Sequence, residues 1–311
     1  MASSRVLAVL LAATACGRSL PIEAPGGSGA GSFVAVGSEG GILRSLDGRA
    51  WAAQSSPANK YLASIAAGRS LFVAVGGAGT IVTSADGLSW VARASGTAAD
   101  LSHVIFTGQK FLAVGGSWDT GAALVESADG VSWIAVTSPS SYMFRAVAHG
   151  AGTVVAAANY KSDLQTPALF TTSLSQGSAA GTWAKREGPA FSDSVTVGDR
   201  IAVVGNGTVS SSTDGVTWST QKAGADRGIA WSGALFVIVG EGGAISTSTD
   251  GTRWTAAEKT GGWLAGVTWG APGFVAVGGA GAIVTSADGA TWSQVSPAPT
   301  RLHLADVAYG P

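Results

Sequence analysis

The chain has 311 residues, a formal net charge of −1 and only 12% charged residues, while glycine alone fills 46 positions. Near-neutral charge without a Lys/Arg cluster leaves no electrostatic footprint for nucleic acid or an anionic surface. Low charge with abundant Ala, Gly, Ser and Thr argues against a helical protein and for short strands joined by tight turns, in one large all-β domain or two ordinary ones.

At the N-terminus, Arg5 precedes an apolar run, Val6 to Ala13, that ends in small residues and Cys16. A charged start, a short apolar core and a small-residue cleavage site read as a secretory signal over residues 1–15. The run is too short to span a bilayer, and no later run is long enough. Cys16 is the chain's one cysteine, so no internal disulfide is expected. The stretch Leu11-Ala-Ala-Thr-Ala15-Cys16 resembles a bacterial lipobox, with Ala13 where Leu is commonest. Ala13-Thr14-Ala15 equally satisfies an ordinary Ala-x-Ala cleavage rule. Two routes therefore stay open: a lipoprotein acylated on Cys16, or a plain secreted chain. A diacylated cysteine would supply the two chains that stable anchoring requires. The Pro/Gly/Ser-rich segment 16–31 reads as a flexible linker, and 32–311 as the folded domain.

From there a heptapeptide, Ser-x-Asp-Gly-x-x-Trp, recurs. It runs Ser45 to Trp51, Ser84 to Trp90, Ser127 to Trp133, Ser212 to Trp218, Ser248 to Trp254 and Ser286 to Trp292, with a damaged copy ending at Trp183. Periods of about 40 residues mark stacked or radially arrayed units. In the second unit, Leu62-Ala-Ser-Ile65-Ala predicts a first strand, Leu71 to Gly76 a second and Thr80 to Thr83 a third. The heptapeptide turn then leads to a last strand around Trp90. Four short strands per unit make a propeller blade. Their nearly continuous apolar runs require cover on both faces, which neighbouring blades provide. The first unit starts directly at a second strand, Phe33-Val-Ala-Val36, and the chain ends on a first strand, Leu304 to Gly310. The predicted fold is an all-β, seven-bladed β-propeller of four-stranded antiparallel blades. The C-terminal strand completes the N-terminal blade, which removes exposed sheet edges.

The heptapeptide resembles the Asp-box of BNR-type β-propellers, shortened by one residue between Asp and Gly. The Leu-x-x-Val first strand followed by Phe-Val-Ala-Val-Gly is similar to bacterial propellers related to photosystem II assembly and stability factors. The resemblance covers Ser32 to Pro311 and implies that the box lies away from the ligand-binding face. The aspartates recurring at regular spacing, six in the intact copies, are therefore read as structural. Asp and Ser accept backbone N–H groups, Gly supplies positive φ, and Trp buries a flat surface with its N–H satisfied locally.

Ligands of propellers bind at the opposite loop face, where two adjacent blades carry expanded second-to-third-strand loops. These hold Trp118 and Asp119 in blade 3, and Tyr160 and Lys161 in blade 4. Aligning the first strands exposes Arg145, Asp193 and Arg227 in three consecutive blades, with Tyr61, Phe191 and Trp263 in a neighbouring column. Two readings stand: a polar pocket for a carboxylate or a sugar, or an Arg-Asp-Arg network that satisfies itself. His149 shares a packing column with Phe106, Trp231, Trp269 and Tyr309. His103 and His303 form no ligand set, so neither metal nor cofactor is expected.

The leading function is a non-catalytic binding or scaffold module, monomeric, exported to the periplasm or cell surface, that recognises a protein or glycan. Contact with a membrane is expected only through Cys16. The alternatives are a sialidase-like glycoside hydrolase and a purely structural spacer. Against the hydrolase stand the absence of an Arg-Ile-Pro motif near the start, only four tyrosines and aspartates consumed by the boxes.

Overall fold

Local geometry begins in the heptapeptide. Ser45 Oγ accepts the Gly48 N–H at 2.9 Å, and Asp47 Oδ1 accepts those of Arg49 and Ala50, both at 2.8 Å. The five other intact copies repeat this pattern. Gly48 has φ +74°, and a Cβ there would stand 2.7 Å from Val275 of the adjacent blade. The N–H donors favour the carboxylate anion, so all six aspartates titrate below the ordinary range. Asp129 falls to about 2, chiefly through the N–H groups of Ser132 and Val131.

The computed structural model describes residues 31–117, 119, 121–138, 143–158, 168–173, 181–197, 200–257 and 259–311. These form seven antiparallel sheets of four strands each. Blade 2 shows the plan from channel to rim: Leu62–Gly68, Leu71–Gly76, Ile81–Ser84 and Val91–Arg93. Blades 3 to 7 start at Leu101, Phe144, Asp193, Gly228 and Leu264. Blade 1 is assembled from both ends of the domain, as expected. Leu304–Gly310 pairs with Ser32–Gly37, Gly310 opposite Ser32 and Leu304 opposite Gly37, and Ser32 Oγ donates to the Pro311 carbonyl at 3.2 Å.

The core divides into seven apolar clusters, each straddling one pair of neighbouring blades. Between blades 1 and 2, for example, Val34, Val36 and Ile42 meet Leu62, Phe72 and Trp90. This two-sided cover explains the continuous apolar runs. Phe106, Trp231, Trp269 and Tyr309 each pack on the aromatic ring that begins the paired strand, at centroid separations of 4.2 to 4.8 Å. The tryptophans depart from expectation in two copies. Trp51, Trp90, Trp133 and Trp292 donate to the carbonyl of their own box glycine. The buried indole nitrogens of Trp218 and Trp254 have no partner among the described residues.

Polar side chains lace the innermost strands together. Asp306 of blade 1 accepts Ser64 Oγ and the Ile65 N–H of blade 2, both at 3.0 Å, and Ser64 Oγ in turn accepts the Val104 N–H of blade 3. His103 of blade 3 takes the Val147 N–H of blade 4 on Nδ1 and faces Asp193 of blade 5 through Nε2, each at 3.3 Å. Asp193 Oδ2 then accepts the Ile229 N–H of blade 6 at 3.0 Å. Between blades 6, 7 and 1 the lacing gives way to Gly228 and Gly266. A Cβ on Gly228 would stand 2.9 Å from Gly266 Cα, and one on Gly266 would stand 2.8 Å from Asp306.

Candidate functional site

Pairing register sets the two faces of the ring. The heptapeptide turns occupy one, while the starts of the innermost strands and the second-to-third-strand turns occupy the other, around the channel mouth. Among the described residues the mouth carries two exposed aromatic side chains. Tyr61 is 45% exposed and donates through Oη to Asp100 at 2.9 Å; partial burial, then this hydrogen bond, push its pKa up to about 12. Trp263 is 37% exposed and stacks on His303, with centroids 4.5 Å apart and an interplanar angle of 20°. The Arg227 guanidinium lies 5.8 Å from the Trp263 ring on the neighbouring blade. Arg227 also pairs with Glu241 and lies 3.9 Å from Asp226.

The predicted Arg145, Asp193 and Arg227 trio does not form a self-satisfied network. Asp193 turns away from both arginines, to His103, the Ser194 N–H and the Ile229 N–H. The two arginines are left to repel each other: partial desolvation and then the charge of Arg227 hold the Arg145 pKa below its ordinary value. Arg145 is exposed and has no acid partner among the described residues. Phe191, expected to border the pocket, is 3% exposed and packs with Ala146, Leu169 and Ile201 between blades 4 and 5. Asp119 is exposed at the tip of its turn on the mouth face. Trp118, Tyr160, Lys161 and Cys16 lie outside the described residues.

Sequence reasoning missed the His103–Asp193 pair and its link to Asp306. A signal was present in the column one residue before each central Val or Ile, where Ser64, His103, Ser194 and Asp306 interrupt otherwise apolar strands. The pair is built for cohesion. Both His103 ring nitrogens are engaged, and no nucleophile bonds to either. Among the described residues, no group of three or more His, Cys, Asp or Glu could hold a metal ion. A cleft of about 220 Å³ opens on the heptapeptide face between blades 7 and 1, lined by Asp47, Arg49, Gly273, Asp288 and Thr291. It exists because Gly273 stands where blades 2 and 6 place Leu71 and Leu235 against the next box glycine.

The fold and its mouth define a seven-bladed β-propeller with a charged, aromatic-edged channel opening. No protein-family model matches the sequence, and no curated protein does either. Solved structures share the architecture. A structure described as YCF48 bound to D1 peptide is 15% identical, with a TM-score of 0.59 over 80% of this chain and 85% of that one. A nidogen/laminin complex aligns at 9% identity and a TM-score of 0.55, covering 90% of this chain and 98% of that one. YCF48 from Cyanidioschyzon merolae aligns at 16% and 0.54, covering 78% and 86%. At these identities the likeness is one of fold.

Proposed function

We propose that this chain is a non-catalytic binding module of the bacterial envelope, an Asp-box propeller that captures a protein segment at its channel mouth. The observation that carries this reading is the pairing of exposed Tyr61 and Trp263 with two mutually repelling arginines on one rigid rim. Aromatic rings supply contact area at little entropic cost, and an anionic group on the partner would relieve the repulsion. Two proteins of like fold are seen with protein partners, YCF48 with a D1 peptide and nidogen with laminin, which supports a role in binding protein. Export and a lipid on Cys16 belong to the same proposal.

The test is crosslinking in the native envelope, followed by measured affinity for the captured partner. Trp263→Ala with Arg145→Ala should weaken that affinity at least about tenfold without moving the melting temperature. Undiminished capture by the double variant would refute the site. A partner released by glycosidase treatment would replace protein with glycan as the ligand.

A further inference from the structure

The described residues include eight large apolar side chains that stand exposed, and they are not scattered. Tyr61 and Trp263 belong to the mouth; the other six, Leu46, Leu88, Val91, Val131, Ile134 and Val216, are 42 to 61% exposed. All six lie inside a heptapeptide turn or on the residue directly after its tryptophan. Five of them sit on blades 1, 2 and 3, whereas blades 6 and 7 carry Thr249, Thr252, Ala287 and Ala290 at the equivalent turn positions. One sector of the face opposite the mouth therefore presents aliphatic tips to solvent. None is needed for the turn, whose hydrogen bonds use the serine, the aspartate and backbone N–H groups.

The same face receives the chain from its N-terminal side. Ser32 lies opposite Gly310, and Phe33 opposite Ser45, the first residue of a heptapeptide. The apolar run at Val6 to Ala13 and Cys16 precede this point. Sixteen residues, 16–31, separate the ring from the acylation position and cannot reach beyond about 55 Å.

We propose that the heptapeptide face of blades 1 to 3 rests on a lipid bilayer, Leu46, Leu88, Val91, Val131 and Ile134 entering the headgroup layer, so that the channel mouth points away from the membrane. This rests on the lipid anchor of the proposed function but not on the mouth's ligand. The box aspartates Asp47, Asp86 and Asp129 are matched on this face by Arg44, Arg49 and Arg69, so apolar contact rather than net charge carries the docking. Exposed aliphatic side chains partition favourably into the bilayer interface.

The full, lipidated chain on phosphatidylethanolamine/phosphatidylcholine vesicles provides the test. Cys16 is blocked by its lipid, so Leu88→Cys and Tyr61→Cys each accept one fluorescent label. The label at position 88 should be quenched by nitroxide lipids at least threefold more than that at position 61. The triple variant Leu46→Ser, Val91→Ser, Val131→Ser should abolish the difference while leaving attachment intact. Equal quenching at both positions, or stronger quenching at 61, would overturn the orientation. Failure of the lipidated chain to attach would overturn it as well. Partner capture by the mouth, measured in detergent, is independent of these readings, so the orientation and the mouth's ligand fail separately.

Discussion

Asp306 offers the sharpest test of how the ring is held together. Its carboxylate lies between the innermost strands, where burial first, and then the charge of Asp193, push its pKa from 3.8 to about 6 against the opposing Ile65 N–H and His103. A carboxyl that is harder to ionise in the folded state destabilises the fold above its folded pKa. It returns that stability as pH falls through 6 toward 3.8. The displacement corresponds to a ceiling of about 3 kcal/mol, of which about 2 kcal/mol is recovered between pH 7.5 and 4.5. The box aspartates titrate below this window and leave it flat. Urea denaturation at pH 4.5 and 7.5 should show the wild type more stable in acid, and Asp306→Asn should remove most of the difference. Parallel pH profiles for the two proteins, or a wild type that weakens on acidification to pH 4.5, would refute the reasoning.

The unpaired indoles give a second comparison. Trp133 donates to the Gly130 carbonyl at 3.0 Å, whereas the buried indole nitrogen of the half-buried Trp218 has no partner among the described residues. Trp133→Phe should therefore cost about 1 kcal/mol more than Trp218→Phe in equilibrium unfolding, and equal costs would deny the hydrogen bond its role. Deleting 304–311 should abolish cooperative thermal unfolding, because it exposes an edge of Ser32–Gly37 and removes Leu304 and Val307 from the cluster between blades 7 and 1. Calorimetry of the shortened chain, with and without a synthetic 300–311 peptide, checks this; an unchanged melting transition would contradict the closure.

How much could be read before the structure depended on repetition. The blade plan recurs, so each strand of blade 2 could be checked against its counterparts. The one irregular junction, Phe33 without a first strand and Leu304 without a second, pointed to the closure. The site has no such internal reference. Arg145, Asp193 and Arg227 share a column, but a small backbone irregularity beside the central Val or Ile occurs in blades 2, 3, 4, 7 and 1, and none is found in blade 5. Column position therefore did not tell that Asp193 faces His103 rather than the arginines. Partner choice across a channel is a tertiary property, and single-strand alignment carries no information about it.

The split blade also has a mechanical consequence. In blades 2 to 7 the first two strands follow one another along the chain, but in blade 1 only non-covalent contacts join Ser32–Gly37 to Leu304–Gly310. Tension on the segment that leads into Ser32 is thus carried along one six-residue strand, about 20 Å long, from one face of the ring to the other. At its far end the Ser38 N–H holds the His303 carbonyl at 2.9 Å, and His303 stacks on Trp263. A pull on the chain ahead of Ser32 is delivered to the aromatic rim, and force on the rim travels back by the same strand.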